Sequence, residues 1–400
     1  MHVVALLLGL FFSLGVALDA FQTIILPRRP AGRWRITRLF YLATWTPLVA
    51  VAERVQNRKV REQIYSTFGP GSLLFLLMVW AFLLVAGFAL LFFALGTPFA
   101  DAMGDRSALG HMRTDLYVSG TTLFTLGLGD VVPHSLAARA LIICESGTGL
   151  GFVALVIGYV PVLYGSFSRR EVSVALLDGR AGSPPTSTEL LRRHSFAGGQ
   201  DALVVLLIEW ERWSAEILES HVSYPILCYY RSQHDNQSWL SALTAILDSC
   251  ALLISVVPGA ASRQAQLTFA MARHALVDLG HVFHLEQREA EWKARGGVER
   301  LPPPSFNLLC GFMAEAGLRL CGDPDSAARL HALRALYESH AAALAGYLGM
   351  QLPAWVPEPR AKDQWKTVEA VRSQAAAILQ ETVVSDQATA LRLFAEDHPA

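Results

Sequence analysis

The chain has 400 residues, a formal net charge of −1, 52% hydrophobic residues and 17% charged residues. Soluble domains carry about 25% charged residues, so this composition lacks the solvating surface of an ordinary soluble protein. A mean hydropathy of +0.35 also points to a membrane, and the near-neutral balance gives no support for nucleic acid as a partner. Five cysteines, at 144, 228, 250, 310 and 321, are odd in number and free of CxxC spacing. That argues against a disulfide scaffold and for a reducing compartment around most of them.

Charge is unevenly spread. Residues 1–170 hold 14 Lys/Arg against 8 Asp/Glu, leaving 19 against 26 in residues 171–400. A basic membrane half joined to an acidic soluble half is the simplest organisation. A bilayer span needs about 20 apolar residues. The first such stretch runs from Val3 to Leu26, with Asp19 and Gln22 near its end. It has no basic n-region and no A-x-A site, so it reads as a retained helix rather than a cleaved signal peptide. Ile36 to Ala52 has apolar residues at helical spacing between RRPAGRWR and ERVQNRKVR, which predicts an amphipathic helix at the membrane surface. The second span, Gly71 to Pro98, carries no charge, and the third, Ala140 to Phe167, carries only Glu145 before the basic pair Arg169–Arg170. Segment 27–70 contains nine Lys/Arg, whereas 98–138 contains two, Arg106 and Arg113. The positive-inside rule then places 27–70 and everything after 169 in the cytoplasm.

Between the last two spans lies DLYVSGTTLFTLGLGDVVPHS, residues 115–135. A short pore helix is expected over 115–124, followed by Thr125-Leu126-Gly127-Leu128-Gly129-Asp130, a T-x-G-x-G-D pattern. A dehydrated cation must be surrounded by oxygens that replace its water. Consecutive backbone carbonyls supply them when alternate residues adopt positive φ, which glycine does at little steric cost. Irregular backbone at membrane depth is tolerable where protein buries it or it lines water. The C-terminal end of the pore helix adds partial negative charge. Asp130 adds cation attraction at the outer mouth, where Tyr117 is placed to hydrogen-bond it.

On these residues the sequence resembles the potassium-channel pore, whose filter usually reads TVGYG. With its flanking helices the resemblance covers residues 71–168. It implies an ion-binding filter at Thr125, Leu126, Gly127, Leu128 and Gly129, supported by Asp130, Tyr117, Thr121 and Thr122. Because the chain holds a single such motif, a four-sided filter implies a homotetramer in a cell membrane, with potassium as the permeating ion. No other cofactor is expected. Leu128 stands where the family usually has Tyr, and Val118 where many members have Trp, so a less selective cation pore is the alternative. The resemblance also puts a gating hinge near Gly149, within Gly147–Gly151; Pro161 is a second kink site. Glu145, an acid within a span, is expected to be a structural carboxyl bonded to Thr121 or Thr122, or else a cavity-lining cation site.

The remainder predicts an all-α cytoplasmic domain over 188–398, after a linker GRAGSPPTS at 179–187. The apolar stretch 240–257 is expected to be a buried core helix, and 361–396 a polar terminal helix. The chain therefore divides into 1–70, a pore domain at 71–170 and the cytoplasmic domain. The fold class is an all-α membrane protein with three transmembrane helices and a re-entrant pore loop. His274, Asp278 and His281 fall on one helix face as a weak metal candidate. They underlie a rival reading as a metal-dependent membrane enzyme; a non-conducting receptor is a further rival. Segment 221–235, dense in aromatic and polar residues, is either a ligand pocket or packing between helices. The cytoplasmic ligand is not legible.

Overall fold

The structure is a computed structural model that describes residues 1–26, 35–99, 108–196, 198–234, 237–257, 259–295, 300–320 and 325–357. Arg28, Arg29, Arg33, Arg106, Asp235, Cys321 and the terminal helix expected at 361–396 lie outside these residues. Among the described residues the regular elements are helices, joined by turns and loops, with one isolated bridge between Phe99 and Pro133. The membrane half contains α1 (His2–Ala20), which ends in a π turn at Phe21–Ile25, then α2 (Ile36–Ala52) and α3 (Arg58–Ala94). It continues with α4 (Ala108–Leu123) and α5 (Leu136–Ala181). Helices spanning 2–25, 58–94 and 136–181 are long and apolar enough to cross a bilayer, in agreement with the three expected spans. Asn57 and Ser135 cap α3 and α5 by accepting from Lys59 N at 3.0 Å and Ala138 N at 3.1 Å.

Small residues bring α1 against α3. A Cβ on Gly9 would meet Gly87 O at 2.8 Å, and one on Gly87 would meet Ser13 Oγ at 2.6 Å. Close backbone approach of this kind is how helices gain contact in lipid. Asp19 locks the arrangement. Its buried carboxylate accepts from Trp80 Nε1 on α3 at 3.0 Å and from Thr37 N and Oγ1 on α2 at 3.0 and 2.6 Å. Arg35 Nε lies 3.4 Å from its other oxygen. The first span is therefore packed into the membrane half. α2 leans instead toward the helical remainder: Trp45 Nε1 donates to Tyr347 O at 3.0 Å, and Tyr41 stacks on Tyr229 at 5.2 Å.

At 1.5 Å per residue, the 46 residues of α5 extend about 69 Å, more than twice the bilayer's hydrocarbon thickness of about 30 Å. The helix therefore leaves the membrane and continues into the second half without a break. The expected linker at 179–187 is instead a buried corner. α5 runs to Ala181, Gly182 turns the chain at φ +85, and Thr186 caps α6 (Ser187–Arg193). Gly, Ser and Pro there serve a tight turn buried against other helices, so composition alone read a buried corner as a linker.

The second half comprises α7 (Gly199–Ser223), a 3-10 turn at Pro225–Tyr229, α8 (Trp239–Ser255), α9 (Ser262–Val282) and α10 (Glu286–Ala294). It ends with α11 (Pro303–Glu315), α12 (Ser326–Ala335) and α13 (Glu338–Leu348). α8 is buried along almost its whole length, the core helix expected at 240–257. Asp248 within it is fully buried and paired bidentately with Arg300, at 2.9 and 2.8 Å. Tyr337 also donates to it, and Arg300 reaches Glu338 at 3.1 Å. Burial alone would lower the Arg300 pKa, but the carboxylates outweigh it and the guanidinium is held more firmly charged than usual.

Candidate functional site

α4 is the re-entrant helix. It begins at Ala108, earlier than the expected Asp115, because the helix runs through ALGHMRT without a proline and tolerates Gly110, and it ends at Leu123. The chain then enters the loop through Thr125 N, which donates to Thr122 O at 3.0 Å, and Leu126 N, which donates to Thr121 O at 2.8 Å. Thr125, Gly127 and Gly129 have φ of +57, +54 and +77. Every second residue from 125 to 129 is thus left-handed, the alternation by which a chain can turn successive carbonyls toward one side. A Cβ on Gly127 or Gly129 would meet nothing within 4 Å, so backbone conformation and not space calls for glycine. Thr125 is β-branched at positive φ, a strained state worth about 1–3 kcal/mol that clusters at functional sites.

Among the described residues, no N–H or hydroxyl donates to the carbonyls of Thr125, Leu126, Gly127, Leu128 or Gly129. The loop is exposed within one chain, so these five acceptors stay open to water, to an ion or to a second copy. At the far end of the loop Tyr117 Oη donates to Asp130 Oδ2 at 2.7 Å. The chain beyond the loop is braced by His134 N donating to Pro98 O at 2.9 Å and by Thr97 Oγ1 donating to buried Asp115 at 2.9 Å.

Glu145 is fully buried. Its partner is Ser119, not Thr121 or Thr122 as expected. Thr121 Oγ1 turns back to the carbonyls of Tyr117 and Val118, both at 3.0 Å, while Thr122 contributes its carbonyl to the loop. Ser119 Oγ also lies 2.9 Å from Val85 O on α3, so Glu145, Ser119 and α3 meet behind the loop. One turn along α5, a Cβ on Gly149 would fall 1.9 Å from Leu123 O. Glu145 and Gly149 therefore grip Ser119 and Leu123, each pair four residues apart on its helix. Gly147 and Gly151 have nothing within 4 Å. Ser119 was missed because helical phase, not residue type, selects which hydroxyl faces α5.

Where α5 meets the second half, Arg170 is buried while its neighbour Arg169 is exposed. Arg170 donates to Glu171 at 2.8 Å and to the carbonyls of Leu227 and Tyr230, both at 2.9 Å, and lies 3.1 Å from His221 Nε2. Burial and the Arg170 charge hold His221 far below its usual pKa, so Nε2 accepts as neutral imidazole. Residues 221–234 accordingly supply packing: Cys228 and Tyr229 sit in the core, while Ser223 and Tyr224 border a cleft. His274 and His281 flank Asp278 at 3.7 and 3.9 Å, and among the described residues no group of His, Cys, Asp or Glu could hold a metal. The shared helix face is real, but both histidines are exposed and no further ligand converges on them.

Two membrane-crossing helices around a re-entrant helix and an acceptor-lined loop define a pore-loop membrane protein. Residues 78–163 match the family described as "Ion channel"; the chain thus carries an ion-channel domain together with a helical remainder, in a multi-pass membrane protein. The family is one of channels and not of enzymes. The chain is also similar to an uncharacterized membrane protein, YdjJ, of Bacillus subtilis (strain 168), 26% identical over 190 residues. That match covers 46% of this chain and 53% of that protein, so the chain spans about half the length of the relative. No solved structure matches.

Proposed function

We propose that four copies of this chain form a potassium-selective channel whose filter is Thr125–Gly129. The observation that carries the reading is the row of five unpartnered carbonyls on a backbone left-handed at 125, 127 and 129. Such carbonyls take the place of hydration water around a cation. Asp130, held by Tyr117, attracts cations at the outer mouth, and Thr121 and Thr122 anchor the filter to its helix.

A tetramer is supported by α5. Only 11% of its apolar window is buried within one chain. Leu136, Ile143, Leu150, Ile157 and Tyr164 recur every seventh residue, each at least 65% exposed. A heptad stripe of this kind suits packing between copies. The gating bend falls within Gly147–Gly151, and the basic 27–70 segment puts the helical domain on the cytoplasmic side of a cell membrane. There α5 transmits movement directly to that domain through Arg170.

Leu128 and Val118 favour a second reading, a looser cation pore, because the filter then lacks a Tyr–Trp hydrogen bond to hold its diameter. Potassium against sodium flux in liposomes tests both, with Gly129→Ala as control. Potassium selectivity lost in the variant supports the first reading, equal fluxes with an intact control support the second, and indifference to Gly129→Ala removes the filter assignment.

A further inference from the structure

Two contacts behind the loop compete for one hydrogen. Ser119 Oγ lies 2.9 Å from Val85 O on α3 and is also bonded to Glu145 Oε1 on α5. A main-chain carbonyl only accepts, and an ionised carboxylate only accepts. A serine hydroxyl has a single hydrogen to give, so it satisfies Val85 O or an ionised Glu145, but not both. Both contacts are met together when Glu145 brings a hydrogen of its own: Glu145 donates to Ser119 Oγ, and Ser119 donates to Val85 O.

The surroundings offer an ionised Glu145 no other support. Glu145 and Ser119 are fully buried, and Glu145 Oε2 is buried without a hydrogen-bond partner among the described residues. The stretch of α3 from Gly71 to Ala94 carries no charged residue. On α4, Arg113 is exposed and His111 lies two turns before Ser119. Asp115, one turn before Ser119, is a second buried acid, bonded to Thr97, and opposes a negative charge nearby. On α5 itself, Arg139 and Cys144 are exposed. A buried carboxylate without a cation is far costlier than the neutral acid.

We infer that Glu145 is a proton-binding site and acts as a hydrogen-bond donor, in a relay from Glu145 through Ser119 to Val85 O that ties α5 and α4 to α3. Resting on the reading of the loop as a filter, Glu145 is a positioning residue for it. Ser119 lies on α4 six residues before Thr125. One turn along α5, Gly149 is in backbone contact with Leu123, the last residue of α4. Relay and contact together hold the end of the pore helix from which the loop departs. Removal of the proton turns the Ser119 hydroxyl toward the carboxylate, strips Val85 O of its side-chain donor and unties α4 from α3.

The test reads the proton itself. Infrared spectra of the purified full chain at neutral pH, wild type minus Glu145→Gln, are expected to show the carbonyl stretch of a protonated carboxyl, which Asp115→Asn leaves in place. Ser119→Ala removes the acceptor and moves that band to higher frequency. In liposomes, the potassium–sodium reversal potential of wild type is expected to shift toward zero as the medium is made alkaline. Glu145→Gln, whose amide always has an N–H to donate, shows no such shift, although Tyr117 and Asp130 titrate in both proteins. Should Glu145→Gln fail to assemble, the band shift in Ser119→Ala still decides. A carboxylate band in place of the protonated one, a band that Ser119→Ala does not move, or the same alkaline shift in wild type and Glu145→Gln overturns the proposal. The infrared readout needs no conduction, so a protein without potassium selectivity refutes the filter reading and leaves the proton site to be decided by its own band.

Discussion

Replacing Gly149 by alanine probes the grip of the inner helix on the pore helix. The new methyl group would lie 1.9 Å from Leu123 O, 2.8 Å from its carbonyl carbon and 3.1 Å from its Cα. All three are backbone atoms, so no side-chain rotation relieves the overlap. Restoring an ordinary contact requires more than an ångström of movement at the C-terminal end of α4, two residues before Thr125. Overpacking of this kind costs about 1–3 kcal/mol, which in a coupled equilibrium is about 5- to 150-fold. Gly147→Ala and Gly151→Ala meet nothing within 4 Å in the same chain and serve as matched controls for helix propensity. Reconstituted at equal protein density, Gly149→Ala is expected to lose potassium flux within that range and to shift the potassium–sodium reversal potential toward zero. The two controls keep their selectivity, and any change they show lies in open probability. If Gly149→Ala conducts and selects as the controls do, the close approach of α5 to α4 does not position the filter.

Three further perturbations follow from buried polar contacts. Glu145→Gln keeps the shape and offers Ser119 an N–H, freeing the hydroxyl for Val85 O; selectivity should survive in Glu145→Gln and fall in Glu145→Ala, which empties a buried space behind the loop at a cost of about 2–5 kcal/mol, read by reversal potential. Arg170→Gln strands buried Glu171 and two carbonyls, so about 3–5 kcal/mol of junction stability is expected to be lost, seen as easier proteolysis at the 224–230 turn and altered open probability with unchanged selectivity. His221 titrates below its usual range because burial and Arg170 disfavour its charged form. The unfolded chain therefore binds the extra proton first, and stability falls as pH drops below about 6.5; thermal melting between pH 7.5 and 5 should show this slope, and His221→Gln should flatten it.

The loop was legible because its chemistry is local: T-x-G-x-G-D specifies alternating φ within six residues, and apolar length alone announces a span. Tyr117 and Asp130 are close in sequence and meet as expected. What depends on how helices rotate against one another was not legible. Thr121 and Ser119 are equally able to bond a carboxyl, and only the phase of α4 against α5 chooses Ser119. GRAGSPPTS has the composition of a linker, yet burial of residues 181–183 and 185–191 comes from helices far away in sequence. His274, Asp278 and His281 do share a face, but a metal needs ligands from a second element, and none arrives. Arg170 looked like half of a topological marker because nothing in its own segment reveals the carbonyls of Leu227 and Tyr230.

A structure of the purified assembly in rubidium, with anomalous density recorded, tests most directly whether main-chain oxygens from four copies surround one ion. The expected result is a fourfold axis with rubidium peaks stacked between the carbonyls of Thr125 and Gly129. A particle without fourfold symmetry, or an axis whose density lies away from those residues, contradicts it.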